Sequence, residues 1–373
     1  MLTPAMLTRH ILGGPMPATG RRLASLTGLR FFAALAVVMY HLHLYVPPLA
    51  DSLSVFGYGF TGVSFFFVLS GFVLAWSQRQ HGSARSFYWH RIARIWPLHL
   101  LTTGLAVFTA PLPASPEFTW WAAPFVVSLT QSWIPASPFL GAFNGVSWSL
   151  SCEIFFYLAF PLLCQRLITP SLAARAMIVV PAAMLALPIG LAPLSSMAAA
   201  DFLLGTMPLY RLGEFVLGMS VANLLKEGWR PRFSVLQAAS LVGALNLALI
   251  IATAIWRVPI PVTFANLIML PAFLALIAAC TRADLSGRSS VLSSSVLIKL
   301  GEWSYALYLV HELLIRTASP YATSTDQAAW LAAVVVLVSI SLSGLLHEFV
   351  EKPAERWLRG LTSAQPRRQV QHP

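Results

Sequence analysis

Long apolar segments, separated by short polar connections, recur along the whole chain. A helix that crosses a bilayer core of about 30 Å needs roughly 20 apolar residues. Segments of about that length predict ten membrane-spanning helices, so the expected fold class is all-α, a polytopic membrane protein. The predicted spans are 26–46, 53–76, 95–110, 146–164, 176–193, 208–225, 234–256, 263–280, 300–317 and 328–350.

The composition supports a membrane protein and gives the orientation of its helices. Of 373 residues, 57% are hydrophobic and 10% are charged, whereas soluble domains carry roughly a quarter charged residues. The net charge of +11 follows from topology, because 20 of the 24 Lys and Arg residues lie in segments that the ten spans put on one side. The positive-inside rule makes that side cytoplasmic. Both termini are therefore expected in the cytoplasm, and no nucleic-acid partner is expected.

The chain divides into three predicted parts. They are a flexible cytoplasmic N-terminal tail (1–24), a transmembrane domain (25–355) and a basic cytoplasmic C-terminal tail (356–373). The three cysteines have no metal or disulfide spacing, and no metal site is expected. The outside connection 111–145 contains three Trp and the run WAAPFVVSL, which is too short to span. This connection either lies in the interface or folds back as a partial lid, or it forms an aromatic belt.

Three basic side chains interrupt the first apolar segment. Arg30 and His41 are eleven residues apart, and a helix turns about 100° per residue, which leaves roughly 20° between them. They therefore share one face, three turns apart. His43 lies roughly 200° beyond His41 and is expected at the outer interface. Because charges at membrane depth face the bundle interior, the face with Arg30 and His41 is predicted to line a path, although an interhelical hydrogen bond would also explain His41.

Polar residues from four predicted helices are expected to meet in the outer half of the membrane. At about 1.5 Å per residue, each lies roughly 17–22 Å above the inner edge. This set is His41, Glu153, Glu214 and His311. Tyr308 shares a helical face with His311, and Arg211 lies three residues before Glu214. Arg211 and Glu214 either belong to the site or form an ion pair with each other.

Two further groups lie at the predicted cytoplasmic surface. Arg91 and Arg94 form an i,i+3 pair, and arginines can bind phosphates through several parallel hydrogen bonds. Ordinary topological anchoring explains the same pair equally well. Glu348 and Glu351 lie at the inner end of the last span, where solvated or helix-contact roles are expected.

Several motifs in this order resemble those of the acyltransferase-3 family of integral membrane acyltransferases. The most specific is Arg, ten residues, then His in the first helix, here Arg30 and His41. The others are GVSFFFVLSGFVL (62–74), RIAR (91–94), SWSLSCEIFFY (147–157), GEWSYALYLVH (301–311) and the closing EKP (351–353). The resemblance covers about residues 24 to 359.

The resemblance implies a bacterial inner-membrane O-acyltransferase that moves an acyl group, often acetyl, from acyl-CoA to a carbohydrate hydroxyl. Acyl-CoA would be a donor substrate, and no permanently bound cofactor is expected. The expected roles are His41 as general base, Glu153 orienting its imidazole, and Arg30, Arg91 and Arg94 binding the donor. Substrate contacts are expected from a further four residues, which are Tyr308, His311, Glu214 and Arg211. Many relatives append a periplasmic hydrolase-like domain, whereas this sequence ends about 20 residues after its last predicted span. The chemistry is therefore expected within the membrane domain or with a separate partner.

Several alternatives remain open from the sequence. The acceptor is a polysaccharide, a lipid-linked sugar, a Nod-type oligosaccharide or a macrolide-like small molecule. Transfer is direct or passes through an acyl-histidine, and the oligomeric state is undetermined. Intramembrane His and Glu would also suit a proton-coupled transporter, although the sequence has no internal repeat.

Overall fold

Helices make up the regular secondary structure of the computed structural model. It describes residues 23–78, 84–109, 120–135, 137–166, 169–191, 202–288 and 290–363, and none of these forms a strand. Nearly all of the predicted tail 1–24 and residues 364–373 of the other tail lie outside this part. Each predicted span overlaps a long helix. The helices are α1 (Ala24–Tyr45), α2 (Gly62–Ser77), α3 (Ala84–Thr109), α4 (Trp148–Arg166), α5 (Pro170–Leu191), α6 (Pro208–Lys226), α7 (Val235–Trp256), α8 (Val262–Leu285), α9 (Ser295–Ala318) and α10 (Thr325–Leu346).

Seven segments of the described chain are long and apolar enough to cross a membrane. They contain α1, α2, α4, α5, α7, α8 and α10. The other three long helices, α3, α6 and α9, contain charged side chains within their length, which lowers their mean hydropathy. The protein is therefore an all-helical, multi-pass membrane protein. Ten spans and cytoplasmic termini remain predictions.

Glycines allow the central helices to approach closely. A Cβ on Gly218 of α6 would lie 1.9 Å from the carbonyl oxygen of Val68 in α2, and one on Gly71 of α2 would lie 2.0 Å from a carbonyl oxygen of α6. Likewise, a Cβ on Gly301 of α9 would lie 1.8 Å from the carbonyl oxygen of Thr27 in α1. In lipid, small residues at such contacts let van der Waals packing hold helices together. These two helix pairs form the centre of the bundle.

The described part of the outside connection folds back against α3 and α4. Its Val126 carbonyl accepts a hydrogen bond from Nε2 of His99 (2.9 Å), and the next carbonyl accepts one from Nε1 of Trp96 (3.1 Å). The Trp133 ring packs edge-on against Phe155, seven residues into α4, at a centroid distance of 4.9 Å. Val126 and Val127 belong to a short helix, Ala123–Val127. The described residues of this connection thus pack onto α3 and α4, while its position in the interface and its role as a lid or an aromatic belt stay predictions.

A π-helical turn, His347–Glu351, joins α10 to a last helix, α11 (Lys352–Ser363). Residues 356–363, which the sequence analysis assigned to the C-terminal tail, are thus helical. The Nε1 atom of Trp89 in α3 donates to the Leu358 carbonyl of α11 at 2.6 Å. This contact fixes α11 against the start of α3.

Replacing Gly218 by Ala is expected to destabilise the protein by roughly 1–3 kcal/mol, because an added methyl forces α2 and α6 apart. The measurement is the thermal unfolding midpoint in detergent. The matched control is Gly104→Ala in α3, because a Cβ there would meet no atom within 4 Å. Equal midpoints for the two variants would contradict this account of the α2–α6 contact.

Candidate active site

Helices α1 to α4 and α9 enclose a cavity of about 180 Å³. Five of the predicted site residues line it, namely Arg30, Arg91, Arg94, Glu153 and Tyr308. Polar residues outside the predicted set also line it: Ser70, Ser149, Tyr157, Ser304 and Tyr305. Three guanidinium groups against one carboxylate leave an excess of positive charge, which attracts an anionic ligand.

Two of the three cavity arginines have no fixed partner. Neither Arg30 nor Arg94 makes a hydrogen bond or an ion pair within the described part of the chain. Arg91, by contrast, stacks on Phe87 and Tyr157, with its guanidinium carbon 5.6 Å from each ring centroid. Charged side chains at membrane depth are costly and mark binding sites by default. Arg30 and Arg94 are therefore available to bind an anion.

Glu351 supplies a buried negative charge near these arginines. It is 4% exposed, and its Oε2 lies 2.9 Å from Nδ1 of His347. Its charge acts through space on Arg30 and Arg94. Of the solvated and helix-contact roles expected from the sequence, the structure shows a buried position for Glu351, which lies in the π turn His347–Glu351. Glu348, in contrast, is on the exposed side, with Lys352 at 2.7 Å.

Glu153 accepts hydrogen bonds on the cavity side of α4. The hydroxyl of Tyr157, one turn further along the same helix, donates a short bond to Oε1, and Oγ of Ser70 donates another at 3.3 Å. Tyr157 also packs against Arg91. The sequence analysis missed Tyr157, although its i,i+4 spacing from Glu153 places the two on one helical face.

His41 and His311 form a direct pair. Nδ1 of His41 lies 3.2 Å from Nε2 of His311 and 2.8 Å from the carbonyl oxygen of Val37. The rings of the two histidines are 4.9 Å apart, and the ring of Tyr308 is 5.9 Å from that of His311. Because Tyr308 also lines the cavity, it connects the cavity to the histidine pair.

From the sequence, Glu153 was expected to contact His41. In the structure, its hydrogen-bond partners are Ser70 and Tyr157 instead. The backbone N–H of Val146, just before α4, donates to the Glu312 carboxylate at 2.8 Å. This bond puts the start of α4 level with the residue that follows His311. Seven residues further along, Glu153 lies about 10 Å deeper along the axis. The expected common level assumed that all helices begin at the same depth, and they do not.

An ion-pair network holds the C-terminal ends of α1 and α9 together. The Glu312 carboxylate pairs with Arg316 at 2.6 Å and accepts a hydrogen bond from the Tyr45 hydroxyl at 2.9 Å. Arg316 in turn donates to the Tyr45 hydroxyl at 3.0 Å. A Cβ on Gly145 would lie 2.8 Å from Glu312, so the segment before α4 packs directly onto the network. This network fixes the helix ends beside the histidine pair.

Arg211 and Glu214 pair with each other at 3.1 Å, and both are essentially fully buried. Arg211 also donates to Oγ of Ser64 at 3.0 Å, and its guanidinium carbon lies 5.1 Å from the ring centroid of Phe67. The ion-pair alternative is therefore what the structure shows. A role for these two residues in substrate binding stays a prediction.

His43 does not line this cavity. Nδ1 of His43 lies 2.8 Å from the carbonyl oxygen of Ala50, in the connection after α1. His43 is thus turned to a different partner from His41. Among the described residues, no group of three or more His, Cys, Asp or Glu is arranged to hold a metal ion.

A family model described as an acyltransferase domain, acyltransferase-3, matches residues 23–348. The chain belongs to the acyltransferase-3 family. It is 38% identical over 373 residues to the acyltransferase MdmB of Streptomyces mycarofaciens, with 92% of this chain and 94% of that protein aligned. The comparison with solved structures gave no match.

Two more distant relatives differ in how much of their length is matched. The peptidoglycan O-acetyltransferase OatA of Listeria monocytogenes is 26% identical over 368 residues, covering 89% of this chain and 56% of OatA. Nodulation protein 10 of Rhizobium leguminosarum is 30% identical over 161 residues, covering 37% of this chain and 43% of that protein. Membership of the acyltransferase-3 family makes this protein an acyltransferase enzyme, and the transporter alternative is set aside.

Replacing Arg211 alone by Met is expected to destabilise this acyltransferase by roughly 3–5 kcal/mol, because Glu214 is left as an unpaired buried charge. The double variant Arg211→Met with Glu214→Leu should recover most of that loss. Thermal unfolding in detergent measures both effects, and acyl transfer per folded molecule is measured in parallel. A stable but inactive double variant would show that the pair belongs to the substrate site.

Proposed function

We propose that this acyltransferase moves an acyl group, in the first instance acetyl, from cytoplasmic acyl-CoA to a hydroxyl of a carbohydrate-containing acceptor on the extracytoplasmic side. The protein would lie in the bacterial inner membrane with both termini in the cytoplasm. It would act through residues 25–355 as one transmembrane domain, with acyl-CoA as a substrate and no resident cofactor.

The observation that carries this proposal is the positively charged cavity, whose lining residue Tyr308 packs against His311 of the histidine pair. Arg30 and Arg94 line the cavity without a fixed partner, which suits the phosphates of a CoA donor. The rise from Arg30 to His41 along α1 is about 16 Å, comparable to the length of a pantetheine arm. A donor bound at the arginines could therefore present its thioester near Tyr308 and His41.

The proposed chemistry uses His41 as general base. Its Nε2 takes the proton of the acceptor hydroxyl while the hydroxyl oxygen attacks the thioester carbonyl carbon. The C–O bond forms, the C–S bond breaks, and CoA leaves as a thiolate. The imidazolium of His41 then returns its proton to the thiolate, so the products are the ester and free CoA. A transient acyl-histidine is the alternative route, with the acyl group passing through the ring nitrogen.

Glu153 is proposed to act on the donor side of the site. Its bonds to Tyr157 and Ser70 support a role in balancing and ordering the arginine-lined cavity, and they weigh against direct orientation of His41. Because Tyr157 also packs against Arg91, Glu153 would fix the positions of side chains that line the donor site.

The acceptor is the least constrained part of the proposal. OatA is named as a peptidoglycan O-acetyltransferase, which supports a carbohydrate hydroxyl. MdmB, which this chain matches over 94% of its length, is named only as an acyltransferase, and a macrolide-like small molecule remains the second candidate. Mass spectrometry of surface glycans from a deletion strain, beside assays with small-molecule alcohols, distinguishes the two.

His41→Ala is expected to lower turnover by at least about 100-fold, because positioned base catalysis is worth roughly 10²–10⁴-fold. The measurement is acceptor-stimulated release of free CoA by purified protein. The matched control, His43→Ala, removes a nearby imidazole that bonds to Ala50 and should keep near-normal turnover. Full activity of His41→Ala would overturn the assignment of the base.

Arg94→Ala is expected to raise the apparent KM for acyl-CoA roughly tenfold or more, because a charge-assisted hydrogen bond contributes about 1.5–3 kcal/mol. The KM for the acceptor should change little, and Arg91→Ala should act in the same direction. Arg85→Ala, an exposed arginine on the same helix, serves as the control. Donor binding elsewhere would be indicated if Arg85→Ala and Arg94→Ala behaved alike.

A further inference from the structure

The contacts of His41 and His311 with each other and with backbone carbonyls determine where the protons of both rings lie. His311 is fully buried, and its Nδ1 lies 3.1 Å from the carbonyl oxygen of Leu307. A carbonyl oxygen can only accept, so this Nδ1 carries a hydrogen. A neutral imidazole has one N–H, which leaves Nε2 of His311 with a free lone pair. That lone pair faces Nδ1 of His41 at 3.2 Å.

The same reasoning fixes the tautomer of His41. Its Nδ1 faces two acceptors, Nε2 of His311 and the carbonyl oxygen of Val37 at 2.8 Å, so Nδ1 carries the hydrogen. The remaining nitrogen, Nε2, is then unprotonated, and it makes no hydrogen bond with any described residue. Nε2 is therefore the free basic atom of the pair.

His311 and the Val37 carbonyl differ as hydrogen-bond acceptors for Nδ1–H of His41. The Val37 carbonyl lies one turn before His41 on the same helix and also accepts the backbone N–H of the helical ladder. Nε2 of His311 comes from another helix and has no second donor among the described residues. When Nε2 of His41 takes a proton, the bond from Nδ1–H to His311 becomes charge-assisted and roughly twice as strong.

We infer that His311 is a positioning residue, which holds His41 in the Nδ1–H tautomer with Nε2 free to receive the proton of the acceptor hydroxyl. This inference rests on the proposed function of His41 as base, and it replaces the substrate contact that the sequence analysis expected of His311. The neighbouring carboxylate, Glu312, cannot take this role, because it is engaged by Arg316, Tyr45 and the backbone of Val146.

The kinetic test compares two substitutions of His311. His311→Leu removes the interhelical acceptor and leaves only the Val37 carbonyl. It should lower kcat at least about tenfold, part of the roughly 10²–10⁴-fold that base catalysis supplies, with both KM values nearly unchanged. His311→Gln can place Oε1 near the position of Nε2 and should recover most of the lost kcat. Equal losses in the two variants, or a raised acceptor KM with unchanged kcat, would overturn the inference.

His99→Leu is the matched control for burial. His99 is also fully buried and also bonds a backbone carbonyl, that of Val126, but it lies outside the site. Its replacement should leave kcat unchanged in protein that folds. A fall in kcat equal to that of His311→Leu would mean that loss of any buried histidine disturbs turnover, and the inference would fail.

A second measurement does not depend on activity. Nitrogen-15 NMR of histidine-labelled wild-type protein in detergent, with the His41 signals assigned by their loss in His41→Gln, should show the Nδ1–H tautomer for His41. An Nε2–H tautomer in wild-type protein would overturn the inference even if every His311 variant failed to fold. Wild-type protein with the expected tautomer but no release of CoA would instead overturn the proposed function.

Discussion

The cost of placing a charge at membrane depth organises this molecule. Insertion of a charged side chain at the bilayer centre costs roughly 2.5–3.5 kcal/mol, so such residues must pair or line a polar space. Arg211 with Glu214 and Arg316 with Glu312 pair within one helix each. Arg30 and Arg94 line the cavity instead. Helices α3, α6 and α9, which fall short of the hydropathy of a membrane span, are the helices that carry these groups apart from Arg30.

Two zones of different chemistry follow from this arrangement. One zone is the cavity with its three arginines, and the other is the histidine pair beside the ion pair of Arg316 and Glu312. Tyr308 separates them, with its hydroxyl bonded to Ser149 (2.8 Å) and to the carbonyl of Val146 (3.0 Å). In the proposed reaction, a negatively charged acyl-CoA and an uncharged acceptor would therefore meet different surfaces. The reacting atoms would need to come together only at the level of this tyrosine.

The sequence predicted the helices well, because the length of an apolar segment is set by bilayer thickness. It also named Arg30, Arg91, Arg94, Glu153 and Tyr308 as site residues with three different roles, and these five line one cavity. It failed on depth. The level of Glu153 depends on the bond between Val146 and Glu312, which joins segments 166 residues apart, and periodicity within a helix carries no information about such a bond. The sequence left both a solvated and a helix-contact role open for Glu351, and it could not choose between them because a π turn breaks the 3.6-residue period.

A histidine suits the position beside His41 better than a carboxylate would. A second carboxylate there would add an unpaired charge to a buried site, and burying an unpaired charge is strongly unfavourable. Glu312 avoids that cost because Arg316 lies 2.6 Å away, but the same ion pair occupies its oxygens. His311 is neutral when its Nδ1 donates to Leu307, and its free lone pair adds no charge to the resting site. The hydrogen-bond acceptor for Nδ1–H of His41 can therefore be both fully buried and uncharged. The histidine pair becomes charged only when His41 takes up a proton.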